Sequence, residues 1–243
     1  MDWLFILAVV VAFLIKGLCG FANTLVFNTI LSFGNSNASI TPLELLVGYP
    51  SNMVLAWKER KSVSAKIVIP LTLFVIAGSI PGAIFLKNSN TTMIKIIFGV
   101  VVVLLGIEML LREKQEKKGK KSPVVLAVVG ILSGILCGLF GVGALLAAYV
   151  NRTTENTSEF KGNLCAVFIF ENTFRLVLYA MTDLLTWQTV KNAVCLLPVM
   201  LIGLFMGMAL GKILNEKVVR KLVILMLMLS GVSLVVTNIR FIL

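Results

Sequence analysis

Long apolar runs alternate with short clusters of charge along the whole chain. Gly17–Leu43, Ile67–Leu86, Ser122–Asn151, Asn192–Gly211 and Leu222–Ile239 contain no charged residue. A helix needs roughly 20 apolar residues to cross a bilayer, so several of these runs predict transmembrane helices. One stretch is strongly hydrophilic, Arg112–Lys121 (REKQEKKGKK). It divides the chain into a first membrane repeat at 1–111, a basic linker at 112–121 and a second membrane repeat at 122–243.

The two halves follow one plan. Each opens with an apolar segment punctuated by glycine, around Gly17 and Gly20 in the first and Gly138, Gly141 and Gly143 in the second. A shorter span with a central asparagine follows, Asn52 or Asn172. Next comes a span with small-xxx-small glycines, Gly78/Gly82 or Gly203/Gly207, and then a plainly apolar one. The register between halves stays open at this level. Matching Gly17 and Gly20 to Gly138 and Gly141 gives an offset of 121, and matching the Leu-Cys-Gly triplets gives 118.

The opening segments allow two topologies. Trp3–Ile15 and Phe21–Phe33 are too short to span singly, but as half-helices meeting near Lys16 and the glycines they form a re-entrant hairpin. Eight simple crossings place 12 Lys/Arg in cytoplasmic loops and 8 outside, whereas two re-entrant openings give 16 against 4. Cytoplasmic loops are rich in Lys and Arg, so the re-entrant arrangement is preferred, with the linker cytoplasmic. A hairpin plus three spans makes the halves inverted repeats, an architecture many secondary transporters share. The predicted fold class is thus an all-α integral membrane protein of two homologous halves.

Composition sharpens what this excludes. The chain is 58% hydrophobic and 14% charged, with a mean hydropathy of +1.01, against about 25% charged in soluble domains. Its net charge of +11 resides in loops between spans, so a nucleic-acid partner is not expected. No histidine is present, which removes His-ligated zinc, haem and His-based triads. No metal, cofactor or enzymatic activity is expected. Cys19, Cys137, Cys165 and Cys195 lie in apolar runs without a C-x-x-C pair and read as free, buried thiols. Asp2 stands where a signal peptide would carry a basic residue, so the N-terminus is expected to be retained.

Charge and polarity inside the spans mark the candidate site. An intramembrane Lys or Arg costs about 2.5–3.5 kcal/mol on insertion scales and is a functional hypothesis by default. Lys16 and Arg175 are the two such cations, and Glu171 stands one turn before Arg175. Either they balance an anion, with Glu171 carrying a coupling proton, or Glu171–Arg175 is a structural pair and Lys16 snorkels to the interface. Glu44 and Asp183 are expected near span ends in solvent, and Glu108 at the interface. Gly17, Gly20, Gly138, Gly141 and Gly143 let a helix break at depth, and a half-helix N-terminus there attracts anions. Close helix packing is the competing role for such glycines. Asn52 follows Pro50 in a short span, and Asn52 and Asn172 offer donors and acceptors or an interhelical hydrogen bond.

The duplicated G-x-x-G-x-G segment (Gly138, Gly141, Gly143), the eight apolar segments in two halves, the basic linker and the length resemble the sulfite exporter TauE/SafE family. This resemblance covers essentially the whole chain. It implies transport of small sulfur-containing or carboxylate anions across a bacterial inner membrane. The first half departs from the pattern at Phe21-Ala22-Asn23, which suggests that Asn23 and Thr24 add side-chain hydrogen bonds.

The sequence therefore predicts a multi-pass secondary transporter, working by alternating access on a small anionic substrate. Its expected binding residues are Lys16, Gly17, Gly20, Asn23, Thr24, Asn52, Gly138, Gly141, Gly143, Asn172 and Arg175, with Glu171 for coupling. An anion channel or a structural membrane protein remains the alternative. The lipid bilayer is the other partner, and a proton the candidate coupling ion.

Overall fold

The computed structural model describes residues 3–112, 123–211, 213 and 216–239. Apart from Arg112, the basic linker and its expected cytoplasmic placement lie outside the described residues, as does the side chain of Glu108. The described residues form ten α-helices and no strand. In chain order these are α1 (Trp3–Cys19), α2 (Asn23–Leu31), α3 (Asn37–Lys58), α4 (Ala65–Asn88), α5 (Thr91–Arg112), α6 (Pro123–Phe140), α7 (Ala144–Thr153), α8 (Thr157–Met181), α9 (Trp187–Leu210) and α10 (Glu216–Ile239). Helices dominate because lipid offers the backbone no hydrogen-bond partner, so each N–H and C=O must be met within the segment. Prolines at positions 42, 50, 70, 81 and 198 stay inside helices. Asn156 caps α8 by accepting from the Glu159 amide at 2.9 Å. Thr186 caps α9 in the same way, from the Thr189 amide.

Among the described residues, three helices, α4, α8 and α9, are long and apolar enough to cross a membrane. Leu73, Leu104, Phe205 and Leu229 stand exposed on the helix bundle, a surface suited to lipid rather than water. Trp3, Trp57 and Trp187 are exposed near helix ends, where indoles favour the headgroup level.

Each opening segment is broken into a long and a short helix. The first break comes at Gly20–Ala22, with Gly20 at φ +84° and Ala22 at φ +74°. The second falls at Gly141–Gly143, with Gly141 at φ +70°. Left-handed backbone is where glycine replaces a side chain at no steric cost. The first break therefore lies later than the sequence suggested: α1 runs straight through Lys16 and Gly17. Lys16 is no helix breaker, and its ammonium finds a partner across the bundle in Asn52. The two breaks have matching geometry at one spacing. Gly20 donates its amide to the Lys16 carbonyl at 2.7 Å, and Gly141 donates to Cys137 at 2.8 Å, which is the offset of 121. The offset is 125 by α4 and α9, where Gly82 and Gly207 play the same part.

The halves do not pack as separate lobes. α1 lies on α9, α6 on α4, α3 on α8 and α5 on α10. Gly17 and Gly138, expected at the hairpin turns, instead serve these contacts. A Cβ at Gly17 would strike the backbone of α9 at Leu204 and Met208, and one at Gly138 would strike α4 at Ser79 and Ala83. The direction of the pairs is informative. Tyr49 meets Thr173 at 2.8 Å while Gly162 abuts the carbonyl of Glu59, so α3 and α8 run antiparallel. Gly99 abuts Gly231 and Gly106 abuts Met228, so α5 and α10 do too.

Candidate functional site

The short helices α2 and α7 start at the two breaks, and both starts face one cavity. Its wall includes Asn23, Thr24 and Leu25 from α2 and Gly143 and Ala144 at the start of α7. Neither start has a side-chain cap. The first N–H groups of an α-helix have no partner within it, so both present donors and positive dipole toward the cavity. Its volume is about 30 Å³, room for one or two waters.

Four charged side chains converge here from three long helices. Lys16 of α1 is only 2% exposed, and its Nζ donates to Asn52 Oδ1 of α3 at 2.7 Å. It does not snorkel. Arg175 of α8 is equally buried. Its Nη1 donates to the Cys137 carbonyl at the end of α6, and Nη2 donates to Asn172 Oδ1 at 2.8 Å. Each asparagine thus gives its carbonyl oxygen to a cation, and both asparagines line the cavity. Glu171 is wholly buried behind Arg175, with Oε1 3.3 Å from Nε, and accepts from Ser79 of α4 at 3.1 Å.

The fourth charge, Glu44, corrects the sequence reading. It is 2% exposed rather than solvated, because α3 begins at Asn37 and carries it two turns into the bundle. Its Oε1 accepts from Asn23 Nδ2. The local balance is thus two cations against two carboxylates, not two against one. On the cavity wall itself stand Lys16, Arg175 and Glu44, without Glu171.

Of the residues expected in the site, Lys16, Asn23, Thr24, Asn52, Gly141, Gly143, Asn172 and Arg175 line the cavity. Gly17, Gly20, Gly138 and Glu171 do not. Gly20 forms the first turn beneath the Lys161 side chain, whose Nζ donates to the Leu18 carbonyl at 3.2 Å. Asn28 and Tyr179 went unnoticed in the sequence. Asn28 donates to the Phe140 carbonyl and Tyr179 to that of Gly138 at 2.7 Å, so the end of α6 is held from both halves. No sequence pattern marks these two, since each meets a backbone group more than forty positions away. None of the four cysteines forms a disulfide, and Cys195 is exposed rather than buried. Asp183 is exposed as expected and lies 3.6 Å from Lys87.

No curated protein and no solved structure matches the chain. The model of the sulfite exporter TauE/SafE family matches residues 4–234, nearly the whole length, and the chain belongs to that family of membrane transporters.

Proposed function

Starting from that family membership, we propose that the protein is a secondary transporter that moves a small, sulfur-containing anion by alternating access. One observation carries the reading. Two uncapped half-helix starts face a single cavity that is also lined by Lys16 and Arg175. An oxyanion there exchanges lost hydration for charge-assisted hydrogen bonds and for the backbone N–H groups of α2 and α7. Asn23, Thr24, Asn52 and Asn172 supply neutral donors, and Gly141 and Gly143 let the backbone come close. Gly17, Gly20 and Gly138 act through packing and the turn. The cavity's small size favours sulfite- or thiosulfate-sized ions over aromatic sulfonates.

The antiparallel pairing of α3 with α8 and α5 with α10 supports inverted halves around this cavity. In such a pair either hairpin can open to its own side while the other stays closed. The charge distribution in the loops favours a cytoplasmic linker, with the protein in a bacterial inner membrane.

The test is flux into proteoliposomes holding the purified protein, with radiolabelled sulfite, thiosulfate and methanesulfonate. Saturable uptake of at least one, competed by the unlabelled anion, is expected. Non-saturating conduction would replace the transporter with a channel. Movement of cations or neutral solutes alone would refute the anion reading.

A further inference from the structure

The cavity already contains a carboxylate placed like a substrate. Glu44 Oε1 accepts from Asn23, the first residue of α2. Its Oε2 lies against the other break, where a methyl group added at Gly141 would come within 3.3 Å of it. One side chain thus reaches from one hairpin turn to the other on the same wall as Lys16 and Arg175. These are the donors assigned above to the transported anion.

We propose that Glu44 is an internal anion that holds the empty site, and that it takes up a proton when the transported anion binds, so that anion and proton cross together. This rests on the anion-transport reading. Like charges sharing a site cannot all stay ionised at low cost, and a second anion arriving beside ionised Glu44 meets that cost. Protonation removes it. The wall then carries the two cations with no ionised carboxylate of its own, Glu171 remaining outside it beside Arg175, and the acid O–H becomes a donor to the incoming oxyanion. When Glu44 loses the proton on the far side, its carboxylate reclaims the hairpin donors and the anion leaves.

The surroundings single out Glu44 rather than Glu171. Among the described residues, the charged groups facing Glu44 are Arg175 of α8 and Lys16 of α1. α2 brings neutral Asn23 and Thr24, the α6–α7 break brings backbone at Gly141, and the end of α6 brings the buried Cys137 thiol. Ser79 of α4 and Glu171 of α8 face Arg175 from outside the cavity wall. Glu171 therefore meets no arriving anion, whereas Glu44 does.

Coupling is reciprocal: if the proton favours anion binding, the anion favours proton binding. Anion affinity then rises as pH falls, by at most about tenfold per pH unit for one proton. The first experiment titrates the wild-type protein with thiosulfate in weakly buffered detergent solution and records released or absorbed protons. We expect uptake approaching one proton per bound anion, and an inward acid gradient should accumulate thiosulfate in proteoliposomes. Glu44→Gln should bind thiosulfate with pH-independent affinity and lose gradient-driven accumulation while still exchanging internal for external anion. Glu171→Gln should keep the pH dependence. Proton uptake that is absent in wild type, or that persists in Glu44→Gln, overturns the proposal. The wild-type titration decides the matter even if Glu44→Gln does not fold. If wild-type protein binds and moves none of the three sulfur anions, the transport reading falls first and this inference with it.

Discussion

Replacing Lys16 by glutamine separates a binding cation from a structural one. The Lys16 ammonium lies 2.7 Å from Asn52 Oδ1, and a glutamine amide at the same position still offers that oxygen a donor. The substitution therefore removes a charge, one of the two cations that face Glu44, while leaving Asn52 a donor. Lys16→Met removes both and leaves the buried Asn52 acceptor unmet, which costs about 1–3 kcal/mol. We expect Lys16→Gln to unfold near the wild-type temperature and Lys16→Met to unfold lower. Affinity should respond differently. A unit charge about 4 Å from an anion contributes about 4 kcal/mol at an effective dielectric of about 20, or roughly three orders of magnitude in Kd. Glu44 offsets part of this field, so a loss between about tenfold and about 500-fold is expected for Lys16→Gln. Calorimetric titration with thiosulfate at fixed ionic strength measures it, beside thermal unfolding in the same detergent. A folded Lys16→Gln protein with affinity within twofold of wild type would make Lys16 a purely structural residue and remove half of the cationic argument for an anion site.

Arg175→Gln strands buried Glu171, and removing one member of a buried pair typically costs about 3–5 kcal/mol. Both stability and anion flux should fall, and adding Glu171→Gln should recover stability without flux; recovery of both would limit the pair to folding. Gly207→Val forces the contact between α9 and the Leu14 carbonyl of α1 apart, and overpacking of this kind costs about 1–3 kcal/mol or more. A wild-type unfolding midpoint in that variant would contradict the packing role. For topology, single cysteines at the exposed positions Asn88 and Glu155 in a cysteine-free background report the side of each loop. With inverted halves only the Asn88 position labels from outside in intact cells. Labelling of the Glu155 position by an impermeant thiol reagent would restore simple crossings.

The sequence by itself determined the all-helical membrane architecture, the apolar runs and the short set of polar residues inside the spans. These follow from local properties, because a lipid-crossing segment must be apolar over its own length, and a charge within one is conspicuous wherever its partner lies. Lys16, Asn52, Asn172 and Arg175 were legible for that reason. Which glycine turns and which packs was decided in three dimensions. Gly17 and Gly20 look alike in the chain, but only Gly20 has left-handed backbone, while Gly17 is fixed by the approach of α9. Glu44 was misplaced because its depth depends on where α3 begins, seven residues earlier at Asn37, and on how α3 packs in the bundle. The pairing of Lys16 with Asn52 across 36 positions and of Arg175 with Cys137 across 38 likewise exists only once the halves interlock. Hydrophobicity is a sum over neighbours in sequence, whereas a buried charge is satisfied by neighbours in space, and only the fold supplies those.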